Sequence, residues 1–97
     1  MRRGYVYMLT NQGRTTLYTG VASNLVQRMQ QHRSCEGSAF TAQYKTHNLV
    51  YVQVFEDIRD AIAFEKKIKA GSRSKKDELI VSVNPKWRDL MDEIDGL

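Results

Sequence analysis

Two short alternating runs, residues 4–10 and 15–20, are separated by Asn11-Gln12-Gly13-Arg14. That spacing leaves the start of the chain with one simple solution, an antiparallel hairpin closed by a polar turn. In the first run Tyr5 and Tyr7 fall on one face and Val6 and Met8 on the other, because successive strand residues point to opposite sides. Aromatic and β-branched residues suit such a pleated surface.

The rest of the chain alternates helical and extended signals. Ser23 or Asn24 caps a helix expected over 25–32. Leu25 and Met29 form its inward stripe, and Arg28 and His32, one turn apart, border that stripe. Residues 33–46 have no regular period and read as a loop carrying Arg33 and Lys45. Residues 48–55 read as a third strand, expected at the centre of the sheet, with Val50, Val52 and Val54 facing one way. Asp57 caps a helix over 58–70 that Gly71 ends, and Ser74 caps a shorter one through Val81. Asn84-Pro85 then opens a last helix with Trp87, Leu90, Met91 and Ile94 on its apolar side. The fold class expected is α+β: a small three-stranded, mostly antiparallel sheet flanked by three to four helices, in a single domain over residues 1–97.

Composition narrows the setting. With 41% apolar and 27% charged residues in 97, the chain reads as globular, with a small core. No apolar run approaches the roughly 18–20 residues of a membrane span, and no secretion signal follows Arg2-Arg3. The single cysteine, Cys35, has no partner for an internal disulfide, and a reduced thiol in a cytoplasmic protein is the expectation. A catalytic thiol is the other role open to it, but no base is evident beside it. Net charge is +4, which favours an anionic partner, nucleic acid or an acidic surface.

One acidic residue is out of place. At about 100° per residue, Ile58, Ala61, Ile62, Phe64 and Ile68 form one apolar stripe, and Glu65 falls near its middle. A carboxylate facing a sheet is costly unless paired or metal-bound. Two roles fit. Glu65 pairs with a buried Arg or accepts tyrosine hydroxyls, or it points into a cleft and holds a divalent cation. Mg2+ commonly takes only about one or two carboxylates, with water and phosphate oxygens completing its shell. Lys66, Lys67, Lys69, Arg73, Lys75 and Lys76 follow closely. Such a run is either a solvated face or a track for a phosphate backbone.

Taken together these residues resemble the GIY-YIG nuclease superfamily. Tyr5-Val6-Tyr7 stands where that family has Gly-Ile-Tyr, and Tyr18-Thr19-Gly20 where it has Tyr-Ile-Gly, with ten residues between Tyr7 and Tyr18. Asn11 takes the polar position that often follows the first element. Arg28 and His32 match the Arg and His of the family's first helix, and Glu65 its metal-binding Glu. The tail from Lys66 to Trp87 looks like the small single-domain bacterial branch, the UPF0213 group, which is similar to the nuclease domain of structure-specific junction endonucleases. Two departures stand out. The first motif reads Tyr-Val-Tyr with Gly4 displaced by one, and the only late asparagine, Asn84, also reads as a helix cap.

The resemblance implies a metal-dependent endonuclease acting on DNA more than RNA, on branched or damaged substrates. Glu65 would hold Mg2+ or Mn2+. Tyr7 would be the general base, its phenol drawn down from the ordinary value near 10 by Arg28 or the metal. Arg28 would bind a phosphate oxygen, Tyr18 would position water or phosphate, and His32 would orient the site or share proton transfer. Gly20 would allow close backbone approach. Tyr5 and Trp87 read as structural. The basic run would contact nucleic acid, a targeting protein is a further partner, and the chain is expected as a monomer or weak dimer with no membrane association. A nucleic-acid-binding module that no longer cuts and a protein-interaction domain on the same fold are the alternatives.

Overall fold

The computed structural model describes residues 2–33 and 48–96. The order is β1 (Gly4–Thr10), β2 (Leu17–Ala22), α1 (Leu25–Arg33), β3 (Asn48–Phe55), α2 (Ile58–Lys69), α3 (Arg73–Val83) and a 3-10 turn at Met91–Glu93. The strands make one antiparallel sheet, so the α+β class holds. The segment read as a loop, with Cys35 and Lys45, lies outside the described residues apart from Arg33, which closes α1.

The sheet order is β2-β1-β3, so β1 and not β3 is central. All seven residues of β1 are buried, whereas β3 leaves Gln53 and Val54 exposed. A central strand covered on both faces is apolar along its length, as Gly4-Tyr-Val-Tyr-Met-Leu is, whereas β3 has a described strand on one side only. The alternating valines of β3 do not share a face. Met8 pairs with Tyr51 and Leu9 with Leu49, leaving Val50 as the extra residue of a bulge. Val50 and Tyr51 therefore both enter one core, while Leu49 and Val52 belong to the other.

The two cores lie on opposite faces of the sheet. Tyr5, Tyr7 and Leu9 meet Leu25 and Met29 of α1 and Ile94 from the C-terminal segment. Val6 and Met8 meet Ala61 and Ile68 of α2 and Ile80 of α3. The alternation read along β1 is thus the alternation of the two layers. Helix α2 comes very near β1: a Cβ on Gly4 would lie 2.6 Å from the Ala61 Cβ and 2.8 Å from the Ile58 Cα. With Ala61 at the point of closest approach, Ile62 is turned about 100° away and is exposed, so the buried stripe is narrower than the sequence suggested.

Helix ends mostly follow their cap residues. Asn24 Oδ1 accepts the Gln27 N–H (3.1 Å) and Asp57 Oδ1 the Arg59 N–H (2.9 Å). Helix α3 starts earlier than expected, with Ser72 rather than Ser74 accepting the Lys75 N–H at 3.2 Å, and runs on to Val83. Gly71 follows α2 without adopting a positive φ.

The helix expected after Asn84-Pro85 does not form. Asn84 ends α3 instead, and its side chain leaves the chain's local neighbourhood: Nδ2 donates to Val50 O (3.1 Å) and Arg88 O (2.8 Å), and Oδ1 accepts the Arg88 N–H (3.0 Å). Trp87 takes a positive φ of 54°, which breaks helical continuation. The segment becomes a strap around the β3 edge. Trp87 packs with the α2–α3 core, Leu90 N–H donates to Leu49 O (2.7 Å), Asp89 Oδ1 accepts the Leu49 N–H (3.1 Å), and Ile94 reaches the α1 core. Asn84→Ala removes three hydrogen bonds at a buried site. It should cost about 2–4 kcal/mol in urea denaturation, because Val50 O is left unpaired.

Candidate active site

The hairpin register decides which side chains meet. Tyr7 sits directly opposite Gly20, and Leu9 opposite Tyr18. A Cβ on Gly20 would fall 2.5 Å from Tyr7 Oη and 2.6 Å from Cζ, so the phenol lies across a glycine because only a glycine leaves it room. The close approach expected at Gly20 is real, but it is made by the Tyr7 ring from the neighbouring strand. Gly20 itself has no positive φ. Asn11 holds the loop that sets this register, its Oδ1 accepting the N–H groups of Thr15 (2.9 Å) and Thr16 (3.1 Å).

Helix α1 brings His32 over the two tyrosines. His32 Nε2 is 3.0 Å from Tyr7 Oη in a buried hydrogen bond, and its ring meets both Tyr7 (5.7 Å) and Tyr18 (5.4 Å) edge-on. The Tyr7 and Tyr18 rings are themselves 6.2 Å apart. Arg28, one turn earlier, donates from Nη1 to Val21 O (3.4 Å), and its guanidinium charge acts on the Tyr7 phenol. Four of the five expected catalytic residues therefore converge: Tyr7, Tyr18, Arg28 and His32.

Burial governs the Tyr7 phenol. Desolvation pushes its pKa up to about 12, the neighbouring Tyr18 adds to the rise, and the Arg28 guanidinium pulls it only partly back. Of the two sources of positive charge expected to draw the phenol down, Arg28 alone does not make Tyr7 a phenolate near neutral pH. A stability consequence follows. The folded phenol keeps its proton up to about 12 while the unfolded one loses it near 10, so above 10 the unfolded state binds fewer protons and stability falls. Burial also raises Tyr51, which acts in the same direction. Between about pH 10 and 12 the denaturation midpoint should drop, and Tyr7→Phe should flatten part of that drop.

Glu65 lies on the other layer. It is carried by α2, which packs over β1 and β2, and its side chain is 12% exposed. Its ion-pair partner is Lys69 (Nζ–Oε2 3.1 Å), itself 52% exposed, so the pair opens to solvent. The structure does not bring Glu65 into an ion pair with Arg28. The helix that carries Glu65 also packs against β2, an edge strand with no described strand on its outer side. Among the described residues no group of three or more His, Cys, Asp or Glu gathers that could enclose a metal. A single hard carboxylate with a displaceable counter-ion still fits Mg2+ or Mn2+, provided water and phosphate oxygens supply the remaining ligands.

The expected basic track divides. Arg73 is engaged with Asp77 (2.8 Å) and with the carbonyls of Thr15 (3.2 Å) and Arg14 (2.7 Å), which ties α3 to the hairpin loop. Arg14 in turn donates to Lys86 O and covers the Trp87 ring at 5.5 Å. This knot was not legible in the sequence, where Arg14 read only as a turn residue. Lys69 serves Glu65, while Lys66, Lys67, Lys75 and Lys76 form no ion pair with a described residue. Asn84, the late asparagine, has its amide fully occupied by Val50 and Arg88.

Residues 3–78 match the GIY-YIG catalytic domain family. The chain is similar to a UPF0213 protein of Clostridium perfringens, with 36% identity over 93% of this chain and 96% of that one. It is also similar to a UPF0213 protein of Natronomonas pharaonis, with 36% identity over 78% of this chain and 88% of that one. Its fold resembles the solution NMR structure of a UPF0213 protein from Bacillus halodurans, with a TM-score of 0.59 and 26% identity, covering 90% and 92% of the two chains.

Proposed function

Since the chain belongs to the GIY-YIG family, a family of nuclease domains, we propose that it is a divalent-metal-dependent endonuclease hydrolysing phosphodiester bonds in DNA. The observation that supports this reading best is the convergence of Tyr18, His32 and Arg28 around the Tyr7 phenol on the β1–β2 hairpin. A phosphate is the group that Arg28 and a metal held by Glu65 would share in this reading.

Glu65 would hold the metal. Bound there, the ion supplies Lewis-acid stabilisation of charge on the phosphate and the leaving 3′ oxygen. Arg28 offers a planar guanidinium suited to a phosphate oxygen. Tyr7 accepts the proton of the attacking water only as its own proton leaves. His32 Nε2, at 3.0 Å, is placed to receive it, so the pair works as a relay. Tyr18 packs against both rings and holds their geometry. Lys66, exposed beside Glu65, adds a backbone contact.

The test is incubation of the pure protein with labelled branched, flapped and single-stranded DNA, with and without Mg2+ or Mn2+. Cleavage that requires metal and is lost in Arg28→Ala supports the reading. Salt-sensitive binding with no cleavage of any substrate would replace it with a binding module. Absence of both would leave a protein-interaction domain on the same fold.

A further inference from the structure

Away from the tyrosine cluster, α2 and α3 enclose an open groove of about 570 Å³. Phe64 and Ile68 from α2 and Leu79 from α3 line it, all three resting on the α2–α3 core. Lys67, Lys75 and Lys76 stand around it with one carboxylate, Glu78. Val83, one turn beyond Leu79, continues the apolar line and is 58% exposed. From Lys75 to Val83 the helix rises about 12 Å, the length of roughly two helical turns of a ligand.

We propose that this groove docks an acidic amphipathic helix of a partner protein, its apolar side on Phe64, Ile68 and Leu79 and its carboxylates against Lys67, Lys75 and Lys76. Charge complementarity selects the partner: three ammonium groups face one carboxylate around an apolar floor. Helix-in-groove recognition needs such a floor, with anchors at i, i+3, i+4 and i+7. Nucleic acid suits it less well. A phosphate backbone gains nothing from an apolar floor, and the groove holds a single aromatic ring, Phe64, tilted against Phe55 with centroids 5.3 Å apart, so it lacks the succession of rings on which bases stack. This assigns Lys67, Lys75 and Lys76 to protein recognition, independently of the phosphodiester chemistry.

The test is titration of the isotope-labelled full chain, followed by NMR, with a synthetic peptide of about 16 residues, long enough to hold a helix. The peptide carries leucines at i, i+3, i+4 and i+7 and glutamates elsewhere. A matched peptide with lysines for glutamates and a single-stranded oligonucleotide are titrated in parallel. The expected result is saturable shift changes confined to Phe64–Val83 with the acidic peptide alone. The double variant Lys75→Glu/Lys76→Glu should weaken binding at least about tenfold, and so should Val83→Asp, whose exposed side chain leaves the core intact. The proposal is overturned if the acidic peptide leaves these resonances unmoved, if the basic peptide binds as well, or if the oligonucleotide is what shifts them.

Discussion

Glu65→Ala should lower metal-dependent cleavage at least about 10³-fold while leaving DNA affinity within about twofold. The asymmetry follows from what Glu65 touches. Its partner is Lys69, half exposed and at the surface, so loss of the pair costs fold stability no more than about 1 kcal/mol. Removing a carboxylate from the proposed phosphate site does not weaken attraction to phosphate, and it frees the Lys69 ammonium. What disappears is the one hard oxygen donor proposed for the metal. Glu65→Gln, which keeps the shape and loses the charge, should behave alike. Single-turnover cleavage in Mg2+ and Mn2+, with affinity read by fluorescence anisotropy, separates the two quantities. A Glu65→Ala protein that cuts at the parental rate would remove Glu65 from the chemistry.

Gly20→Ala should strike both stability and activity, through one methyl group. Its Cβ would press on Tyr7 Oη and Cζ at 2.5 and 2.6 Å and on Tyr18 Cε1 at 3.1 Å. Tyr7 is fully buried and bound to His32, so the ring has little space to yield. Overpacking of this kind costs about 1–3 kcal/mol, and displacement of a reacting group by about 1 Å costs about 10²-fold in rate. The double variant Gly20→Ala/Tyr7→Phe tests the cause. Deleting the hydroxyl removes the nearest atom, at 2.5 Å, and keeps Cζ at 2.6 Å, so the double variant should be destabilised by less than the sum of the single effects, with a coupling of about 0.5–1 kcal/mol, while cleavage stays lost. Additive stabilities would mean that the methyl group presses on the Tyr7 ring carbon or on Tyr18 and not on the hydroxyl.

These outcomes rest partly on what local pattern reports faithfully. The Tyr5–Leu9 alternation named the two faces of β1 before any contact was known, because strand side chains alternate wherever the strand lies. The spacing of Leu25, Arg28, Met29 and His32 likewise placed Arg28 and His32 beside the inward stripe of α1, since a helical turn has the same length everywhere. Glu65 stood out because a carboxylate among apolar residues is costly in any fold. Period and cost are local quantities, and residues a few positions apart determine them.

Strand order, register and the C-terminal strap needed the folded chain. Nothing in residues 48–55 told an edge strand from a central one, because that depends on which other strands are present to pair. The Val50 bulge arose from matching two registers on β3 and overrode a clean valine alternation. Asn84 had the local marks of a helix start, yet its amide was recruited by Val50, 34 residues earlier, and the helix expected to follow gave way to a strap across the sheet edge. Gly20 reads in the sequence as a backbone device, whereas in the fold it makes room for Tyr7, directly opposite it. In each case a buried backbone group or ring distant in sequence required a partner, and the free energy of satisfying it exceeded the weak local preference.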